Sequence, residues 1–425
     1  MKKAVIFAPF WRQPGHVGNN RVDRFVRWLS DDGYQVVMIR AGSRDERCET
    51  AWGKEITVRD PLGLFRDTTL EDKTTVVARK PNKLRRWLAY WLFNPDPSVM
   101  WARAAVANQN VQKAVTDADF ILSSSPPESA HVGAWMLSKK FNIRHIVDMR
   151  DGWLDEPLKP ILVSSTLRRW QEGQLEARIL ANAAVIFVTS DVWRDLLSQR
   201  LPTVADKSVV LTNGYPKGAE CGAALIHPVP AENSLVLIHA GRFTGSDTRR
   251  TAATLLTPLL GAIRQRQTRG IVRLIGSLSA EELAEIAQYQ SRFEDAGWRI
   301  ECPGSMPRNQ LLEALSKASG LLLLSASHAA IPSKLFEYIV ARRPILVVTE
   351  RESATWKVCK KLPQAFFIPS DGEYLETSLC NFLDNSAIPA PQGLCPAEFT
   401  ETSLAALFRS SMTRLRDDNQ SERRT

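Results

Sequence analysis

Short runs of apolar residues alternate with longer amphipathic segments along most of the 425-residue chain. The runs are almost continuously apolar, as expected for strands of a parallel sheet that is covered on both faces. Between them apolar residues recur at helical spacing, as at Val22, Phe25, Val26 and Leu29. The pattern therefore predicts an α/β protein. The predicted strands are 3–8, 35–39, 119–124, 144–149, 184–190, 208–212, 235–241, 272–276, 298–302, 320–325, 344–348 and 365–369.

The predicted strands fall into two series, separated by a segment rich in Pro, Gly and Ala at residues 215–234. We interpret this segment as a linker between two doubly wound, Rossmann-like domains. The prediction gives a first domain at 1–214, a second at 235–396, and a final helix with its tail at 397–425. Ligands of such sheets bind beyond the carboxyl ends of the strands, so two facing domains predict a site in the cleft between them.

The overall charge and composition limit the classes of function. A net charge of +9 favours negatively charged partners, such as nucleic acid, phosphorylated metabolites or an anionic membrane surface. The apolar run at the start is too short for the core of a signal peptide, and no run reaches the roughly 18 residues of a membrane span. The six cysteines are scattered without metal-site spacing. We therefore expect a cytoplasmic protein.

Two loops of the first domain contain candidate chemistry. Gly15 and Gly18 follow the first strand and precede a helix, where backbone N–H groups can approach a phosphate; a plain turn is the alternative. Asp148, Arg150 and Asp151 follow the strand at 144–149. Charges at a strand end need a partner or a cleft, so a structural Asp–Arg bridge is the alternative to a functional role there.

In the second domain, Gly241 and Arg242 directly follow a strand, where an arginine is well placed to bind a diphosphate. Arg249 and Arg250 come next, at the start of a helix. For these two a solvated helix face is the better interpretation.

The segment IPSKLFEYIVARR predicts a helix that begins at Ser333, with Ser333 as N-cap. Lys334 is unexpected at the first helical residue, because the helix dipole and the unpaired N–H groups there favour an anion. An i,i+3 surface pair with Glu337 is possible, but it would contribute only a few tenths of a kcal/mol. A bound diphosphate explains more, since Lys334 and the N–H groups of residues 334–336 would contact it. Glu337 could then accept hydrogen bonds from ribose hydroxyls.

Seven segments, in order, resemble the retaining nucleotide-sugar glycosyltransferases of the GT-B fold, in the large family four that builds bacterial surface polysaccharides. The resemblance covers almost the whole chain. Its most specific parts are SSPP followed by RDGW, and the KLFEY helix. The segments are DFILSSSPPESAHVGAW, DMRDGW, VTSDVWRDLL, VVLTNGYP, HAGRF, ECPGSMPRNQLLEAL and IPSKLFEYIVARRPIL.

The resemblance implies roles for individual residues. Gly18 would lie against the donor diphosphate, which Arg242 and Lys334 would neutralise as it leaves. Glu337 would hold the donor ribose, and Asp151 would present a polar side chain to the reacting sugar. The final helix, 403–415, would cross back onto the first domain. The residues that the resemblance assigns to the donor are Gly18, Gly241, Arg242, Gly304, Met306, Ser333, Lys334 and Glu337, and those that it assigns to catalysis are Asp151, Arg242 and Lys334.

The chain departs from the family pattern at one position. Many relatives have a second glutamate, separated by seven intervening residues from the one that Glu337 matches, and here that position is Ala329. Its role in placing the sugar would be missing or would pass to Ser327 or His328. The resemblance implies a mechanism without a metal or other cofactor. Asp117 and the aspartate at 119 form a DxD, but they precede a strand of the first domain, which favours a solvated turn.

The segment at 78–101 interleaves basic side chains with large aromatic ones, including Arg85, Arg86 and Trp91. Such a pattern is typical of an amphipathic element at a membrane interface, and a core helix with a cationic outer face is the alternative. The membrane reading predicts a lipid-linked saccharide acceptor and a peripheral location on the cytoplasmic leaflet.

Three other functions are compatible with parts of the sequence. A nucleotide-sugar epimerase of the same fold would share the diphosphate site, but it should offer several carboxylates in the first domain. A catalytically inactive transferase-like scaffold is compatible with Ala329. A nucleic-acid-binding protein is less favoured, because the positive charge is dispersed and no nucleic-acid module is recognisable.

Overall fold

The computed structural model describes residues 2–13, 16, 18–65, 92–156, 165–216, 234–243, 251–325, 327–369, 375–388 and 393–422. The chain divides into two compact units. Unit 1 consists of Met1–Thr189, Trp193–Leu211 and Leu407–Thr425, and unit 2 of Ser190–Val192 and Thr212–Ala406. Several predictions fall outside the described residues, namely those for Gly15, Arg85, Arg86, Trp91, Arg249, Arg250 and most of the 215–234 linker.

Unit 1 is built on an eight-stranded sheet in the order β3-β4-β2-β1-β5-β6-β7-β8. All neighbouring strands are parallel except β3 and β4. The central strands are buried along nearly their whole length, as the continuous apolar runs predict. The strands are β1 (Lys3–Phe7), β2 (Gln35–Gly42), β3 (Glu46–Thr50), β4 (Gly53–Arg59), β5 (Phe120–Ser125), β6 (Arg144–Met149), β7 (Ala183–Val188) and β8 (Ser208–Val210).

Helices cover both faces of this sheet. The apolar stripe predicted from Val22 to Leu29 is the buried face of the first helix. The helices are α1 (Asn19–Asp31), α2 (Val99–Ala107), α3 (Gln109–Thr116), α4 (Ser129–Phe141), α5 (Thr166–Asn182) and α6 (Asp191–Arg200), followed by a 3₁₀ turn at Pro202–Lys207.

Unit 2 contains a six-stranded, all-parallel sheet in the order β11-β10-β9-β12-β13-β14. Chain order along this sheet is 3-2-1-4-5-6, the Rossmann order, and the direction of winding reverses between β9 and β12. The strands are β9 (Ser234–Ala240), β10 (Arg269–Ile275), β11 (Trp298–Gly304), β12 (Gly320–Leu324), β13 (Ile345–Thr349) and β14 (Ala365–Pro369).

The helices of unit 2 connect these strands, and one long helix ends the described chain. They are α7 (Ala252–Arg266), α8 (Ala280–Ala287), α9 (Gln290–Glu294), α10 (Arg308–Lys317), α11 (Lys334–Ala341), α12 (Ala354–Cys359), α13 (Leu375–Ser386), a 3₁₀ turn at Ala397–Phe399, and α14 (Glu401–Glu422). No helix within the described ranges is long and apolar enough to cross a membrane.

The last helix returns to unit 1, as predicted, although α14 is longer than the expected 403–415. Phe408 is fully buried, and its ring lies 5.4 Å from Phe25, 5.4 Å from Trp28 and 5.6 Å from Phe187. One residue on, Arg409 donates to a carboxylate oxygen of unit 1 at 2.7 Å. Unit 1 is therefore completed by the last part of the chain.

The strand pair β3–β4 was not predicted. Strand β3 (ERCET) is exposed along most of its length and lies at the edge of the sheet, so it needs no apolar run. Hydrophobic pattern alone gives little signal for such a strand.

Candidate active site

Three adjacent strands of unit 2 end at or next to a glycine. Gly241, Gly276 and Gly304 have φ values of 102°, 153° and 81°, a region that side chains disfavour. The Gly241 N–H donates to the Ile275 carbonyl at 2.7 Å, and the Gly276 N–H donates to the Gly304 carbonyl at 3.0 Å. A Cβ at Gly276 would lie 3.1 Å from the Gly241 backbone. Three glycines therefore lie together at the carboxyl edge of this sheet, where they add no side chain that would keep a ligand from the backbone.

Lys334 lies at this edge. It is the first residue of α11, its side chain is half-buried, and its Nζ donates to the Ala240 carbonyl at 2.8 Å. A Cβ added at Gly241 would be 3.5 Å from the same Nζ. Burial lowers the pKa of Lys334 to about 8, although the Glu337 carboxylate favours the charged form. A cation is thus held at a helix start, at a cost in free energy that an anion in the site would offset.

His239 supports this lysine and was not singled out from the sequence. Its ring is fully buried, stacks on Phe243 at 4.4 Å, and donates from Nδ1 to the Leu322 carbonyl at 2.9 Å. Because Nδ1 holds the proton, Nε2 presents a lone pair to Lys334 Nζ at 3.5 Å. Burial, together with Lys334, lowers the pKa of His239 well below its usual value, so the imidazole stays neutral. A histidine on a buried strand gives no sequence signal for this role.

Arg242 follows Gly241 and is exposed. Its Nε donates to the Ser277 carbonyl at 2.8 Å, which fixes the guanidinium beside the end of β10. The Ser277 hydroxyl in turn lies 2.6 Å from the Ser305 hydroxyl, next to Gly304. Arg242 is therefore anchored at the same edge as Lys334, as the prediction of a diphosphate site requires.

Glu337 lies one turn after Lys334, and its side chain is 16% exposed. Its Oε1 accepts a hydrogen bond at 3.0 Å from Nη2 of Arg308, the first residue of α10. Burial raises the pKa of Glu337, while Arg308 and Lys334 oppose that rise. The alternative weighed from the sequence, a Lys334–Glu337 surface pair, is therefore replaced by an arginine–glutamate pair between two helices.

Ser333 is the N-cap of α11, as predicted, but its side chain and the N–H groups after it differ from what the sequence led us to expect. Ser333 is exposed and already helical in φ and ψ, and its side chain makes no capping hydrogen bond. The N–H groups of Leu335 and Phe336 donate to the Pro332 and Ser333 carbonyls, so they are engaged in the first turn. Because these N–H groups bond within the first turn, Lys334 contributes to the site through its side chain.

Met306, the residue predicted to border the base, is half-buried in the loop after Gly304.

The two residues considered as replacements for the missing glutamate differ in their surroundings. Ser327 is buried, and its hydroxyl accepts a hydrogen bond from the Ala330 N–H at 3.0 Å, within the turn. The His328 side chain is 51% exposed, with Nδ1 at 3.5 Å from a Glu350 carboxylate oxygen. Of the two, His328 has the side chain that is open to a ligand.

In unit 1, Gly18 occupies the N-cap of α1 and lies against Arg150. A Cβ at Gly18 would be 2.0 Å from Arg150 Nη1 and 2.7 Å from the Phe10 ring. Arg150 lies over the Phe10 ring at 4.5 Å, and Nδ1 of His16 accepts from the Gly18 N–H at 3.2 Å. The guanidinium therefore lies beside the positive end of a helix, an arrangement that an anion would stabilise.

The DMRDGW segment separates into structural and exposed parts. Asp148 is fully buried, accepts hydrogen bonds from Nη2 of Arg21 at 2.7 Å and from its Nε at 2.9 and 3.1 Å, and accepts one from the Ser124 hydroxyl at 2.7 Å. The structural Asp–Arg bridge weighed from the sequence thus exists, with Arg21 as its arginine. Asp151 is exposed. Of the two carboxylates, Asp151 is the more accessible to a substrate, although desolvation raises the pKa of its carboxyl.

The DxD sequence lies in a turn, as expected. Asp117 and Asp119 are exposed, and Asp119 accepts a hydrogen bond from the Lys3 N–H at 2.8 Å. Within the described part of the chain, His, Cys, Asp and Glu side chains form no group of three that could hold a metal ion.

Comparisons with known proteins give a family match for the first half of the chain. Residues 18–214 match the family model of a glycosyl transferase 4-like domain. The protein is a glycosyltransferase. A search of curated protein sequences finds no match to this glycosyltransferase. Solved structures extend the likeness of fold to the whole chain.

Sucrose-phosphate synthase from Thermosynechococcus elongatus has a TM-score of 0.64 at 15% identity, over 98% of this chain and 100% of that one. The lipopolysaccharide outer core galactosyltransferase WaaB has a TM-score of 0.56 at 12% identity, over 97% and 99% of the two chains. HepE of Anabaena in complex with UDP has a TM-score of 0.56 at 11% identity, over 97% and 100%. At these identities the likeness shows the fold, which is GT-B.

Proposed function

We propose that this glycosyltransferase moves a sugar from a nucleoside-diphosphate sugar to a saccharide or lipid-linked saccharide acceptor in surface polysaccharide biosynthesis. Configuration at the transferred carbon would be retained, and no metal ion would take part. The observation that supports this most is the half-buried Lys334 ammonium beside Gly241 and Ala240, at the glycine-lined edge of the unit 2 sheet. UDP in the HepE structure gives further support for a nucleotide ligand.

In the proposed reaction the bond between the sugar carbon and the diphosphate oxygen breaks, and the acceptor hydroxyl bonds to that carbon on the same face. The hydroxyl proton passes to the departing phosphate oxygen. Lys334 and Arg242 would bind the diphosphate and stabilise the charge that develops on it. Since the pKa of Lys334 is about 8 without ligand, a bound diphosphate would favour its charged form.

The remaining parts of the donor have candidate partners in unit 2. The Glu337 carboxylate, in its ionised form, would accept hydrogen bonds from the ribose hydroxyls. The Gly304–Met306 backbone would border the base, where the Gly304 φ of 81° keeps that backbone in a conformation other residues disfavour. His328 is the half-exposed candidate for contact with the transferred sugar.

Within unit 1, Gly18 would bind an anionic group of a ligand, and Asp151 would meet the acceptor. Arg150 beside the α1 N-terminus supports an anion near Gly18. Asp151 is an exposed residue whose carboxyl pKa is raised by desolvation, and it is the candidate for contact with a sugar hydroxyl. The membrane-facing role of Arg85, Arg86 and Trp91 remains a prediction from the sequence. Weaker sedimentation of the triple alanine variant with anionic vesicles is the expected result, and unchanged sedimentation would contradict it.

A nucleotide-sugar epimerase of this fold remains the second candidate. It would bind the same donor, but it would convert that donor without an acceptor. Measuring donor turnover in the absence of any acceptor therefore distinguishes an epimerase from a transferase. An inactive scaffold would turn over nothing while still binding nucleotide.

A thermal-shift panel of nucleoside diphosphates and nucleotide-sugars tests the proposal, because a ligand of the folded state raises the melting temperature by mass action. One or more of these ligands should stabilise the protein, and Lys334→Ala and Glu337→Ala should each lower turnover well over tenfold without unfolding it. Lys317→Ala, which removes a half-exposed lysine of the surface pair with Glu313, is the matched control. Normal turnover in both site variants would remove the proposed site.

A further inference from the structure

The carboxylate proposed to bind ribose is already held by another side chain. Arg308 Nη2 lies 3.0 Å from Glu337 Oε1, and the pair joins the first residue of α10 to the first turn of α11. The Glu337 side chain is 16% exposed, whereas that of Arg308 is 45% exposed. One oxygen of the carboxylate is thus held by a hydrogen bond from the neighbouring helix.

A carboxylate that receives ribose hydroxyls must be ionised and correctly oriented. Burial of Glu337 favours its neutral form, and the charged groups that oppose this are Arg308 from α10 and Lys334 on its own helix. A bound diphosphate would partly neutralise Lys334. The Arg308 guanidinium would then be the main positive charge that keeps Glu337 ionised. A single N–H to one oxygen also fixes the rotation of the carboxyl group while the second oxygen can accept.

We propose that Arg308 is a positioning residue for nucleotide recognition, which orients Glu337 so that its second oxygen receives the ribose hydroxyls. This inference rests on the proposed function. It also connects two parts of the donor site, since Arg308 begins the helix that follows the Gly304–Met306 loop. The backbone that borders the base and the arginine that orients the ribose-binding carboxylate would therefore lie on one loop–helix segment.

The chain offers a matched control for a substitution at Arg308. Arg266 is 40% exposed and pairs with Asp384 at 2.6 Å, in the same unit, at the last residue of α7. Replacing either arginine removes one partly exposed charge and one ion pair. The Arg266–Asp384 pair lies at the surface and is worth little stability, whereas the Arg308 pair includes a carboxylate that is only 16% exposed. Only the change at Arg308 should affect nucleotide binding.

The test compares Arg308→Gln, Arg308→Lys and Arg266→Gln with the wild type by calorimetric titration. The probes are a nucleoside diphosphate that the wild type binds and its 2′,3′-dideoxy counterpart. Arg308→Gln should weaken the ribonucleotide about tenfold but the dideoxy nucleotide less than twofold, because only the former uses Glu337. Arg308→Lys should restore part of the loss, and Arg266→Gln should bind like the wild type. The loss in Arg308→Gln should also grow as the pH falls from 8 to 5.5, since removing the guanidinium lets the pKa of Glu337 rise further.

Equal affinity of Arg308→Gln and wild type for the ribonucleotide would overturn the inference, and so would an equal loss for both nucleotides. Glu337→Gln separates this from failure of the proposed function. If Glu337→Gln loses ribose discrimination while Arg308→Gln keeps it, only the role of Arg308 is wrong. If the wild type binds no nucleoside diphosphate, or Glu337→Gln discriminates as the wild type does, the proposed ribose site is wrong and the inference is overturned with it.

Discussion

Replacing Lys334 by methionine should stabilise the free protein while abolishing nucleotide binding. Methionine keeps most of the apolar length of lysine but removes the half-buried ammonium at the start of α11. The donor to the Ala240 carbonyl is lost at the same time. The stability change is therefore the balance between removing a buried charge and leaving a carbonyl without this partner.

The structure gives the size of both contributions, the removed charge and the lost hydrogen bond. A pKa of about 8 instead of 10.5 means that the folded protein disfavours the charged lysine by about 3 kcal/mol. This is a ceiling, because solvent reaches part of the side chain. Loss of the hydrogen bond to the Ala240 carbonyl costs about 1 kcal/mol. Lys334→Met should therefore gain about 1–2 kcal/mol, which raises the melting temperature by roughly 2–8 °C for a domain of about 200 residues.

The pH dependence of this gain has a definite sign. The unfolded chain keeps the lysine proton up to about pH 10.5, whereas the folded protein releases it near pH 8. Between these values the unfolded state binds more protons, so the wild type gains stability relative to the variant as the pH rises. The advantage of Lys334→Met should be complete below pH 8 and should shrink towards pH 10.5.

Urea unfolding of the wild type, Lys334→Met and Lys317→Met at pH 7 and pH 9.5 measures these differences, and nucleotide-induced thermal shifts measure binding. Lys317→Met is the control, since it removes an exposed lysine and should change stability by less than about 0.5 kcal/mol. A Lys334→Met protein that is less stable than the wild type at pH 7 would refute the reasoning. So would a variant that still binds nucleoside diphosphates as the wild type does.

Two further predictions concern unit 1. Phe408→Ala should lower the free energy of unfolding by about 3–5 kcal/mol, because it removes a fully buried ring from an aromatic cluster. Leu407→Ala, at a 37% exposed position, should lower it by less than about 1 kcal/mol. Urea unfolding checks this pair, and similar losses would mean that α14 does not complete the unit 1 core. Gly18→Ala should lower turnover at least tenfold, because its Cβ would displace the Arg150 guanidinium. Gly261→Ala is the control: a Cβ there meets open space in α7, and the free energy of unfolding should rise by about 0.5–1 kcal/mol. Steady-state kinetics and unfolding of both variants check this contrast, and unchanged turnover of Gly18→Ala would exclude a role for that loop.

The parts of the fold that depend on continuous local pattern could be predicted from the sequence. Buried parallel strands and amphipathic helices repeat a short-range signal, and every predicted strand has a counterpart in the structure. The exposed edge strand β3 has no such signal. The return of α14 to unit 1 came from the family resemblance, since Phe408 and Phe25 are remote in sequence.

In the candidate site, too, features with a local sequence signal could be predicted, and contacts between remote residues could not. Lys334 attracted notice because a cation at a helix start violates a local electrostatic rule, and the structure indeed half-buries it. Its support by His239, and the pairing of Glu337 with Arg308, join residues 95 and 29 positions apart in the chain. Asp148 and Asp151 look alike in sequence, yet one is buried with Arg21 and the other is exposed. Such contacts depend on how elements pack, which a single sequence does not display.

The most direct test of the account is a crystal structure of the glycosyltransferase with the nucleoside diphosphate that stabilises it most. We expect the diphosphate at the carboxyl edge of the unit 2 sheet, with a phosphate oxygen within hydrogen-bonding distance of Lys334 Nζ and the ribose on Glu337. A nucleotide bound elsewhere, or a Lys334 ammonium that keeps its contact with Ala240 and makes none with phosphate, would contradict it.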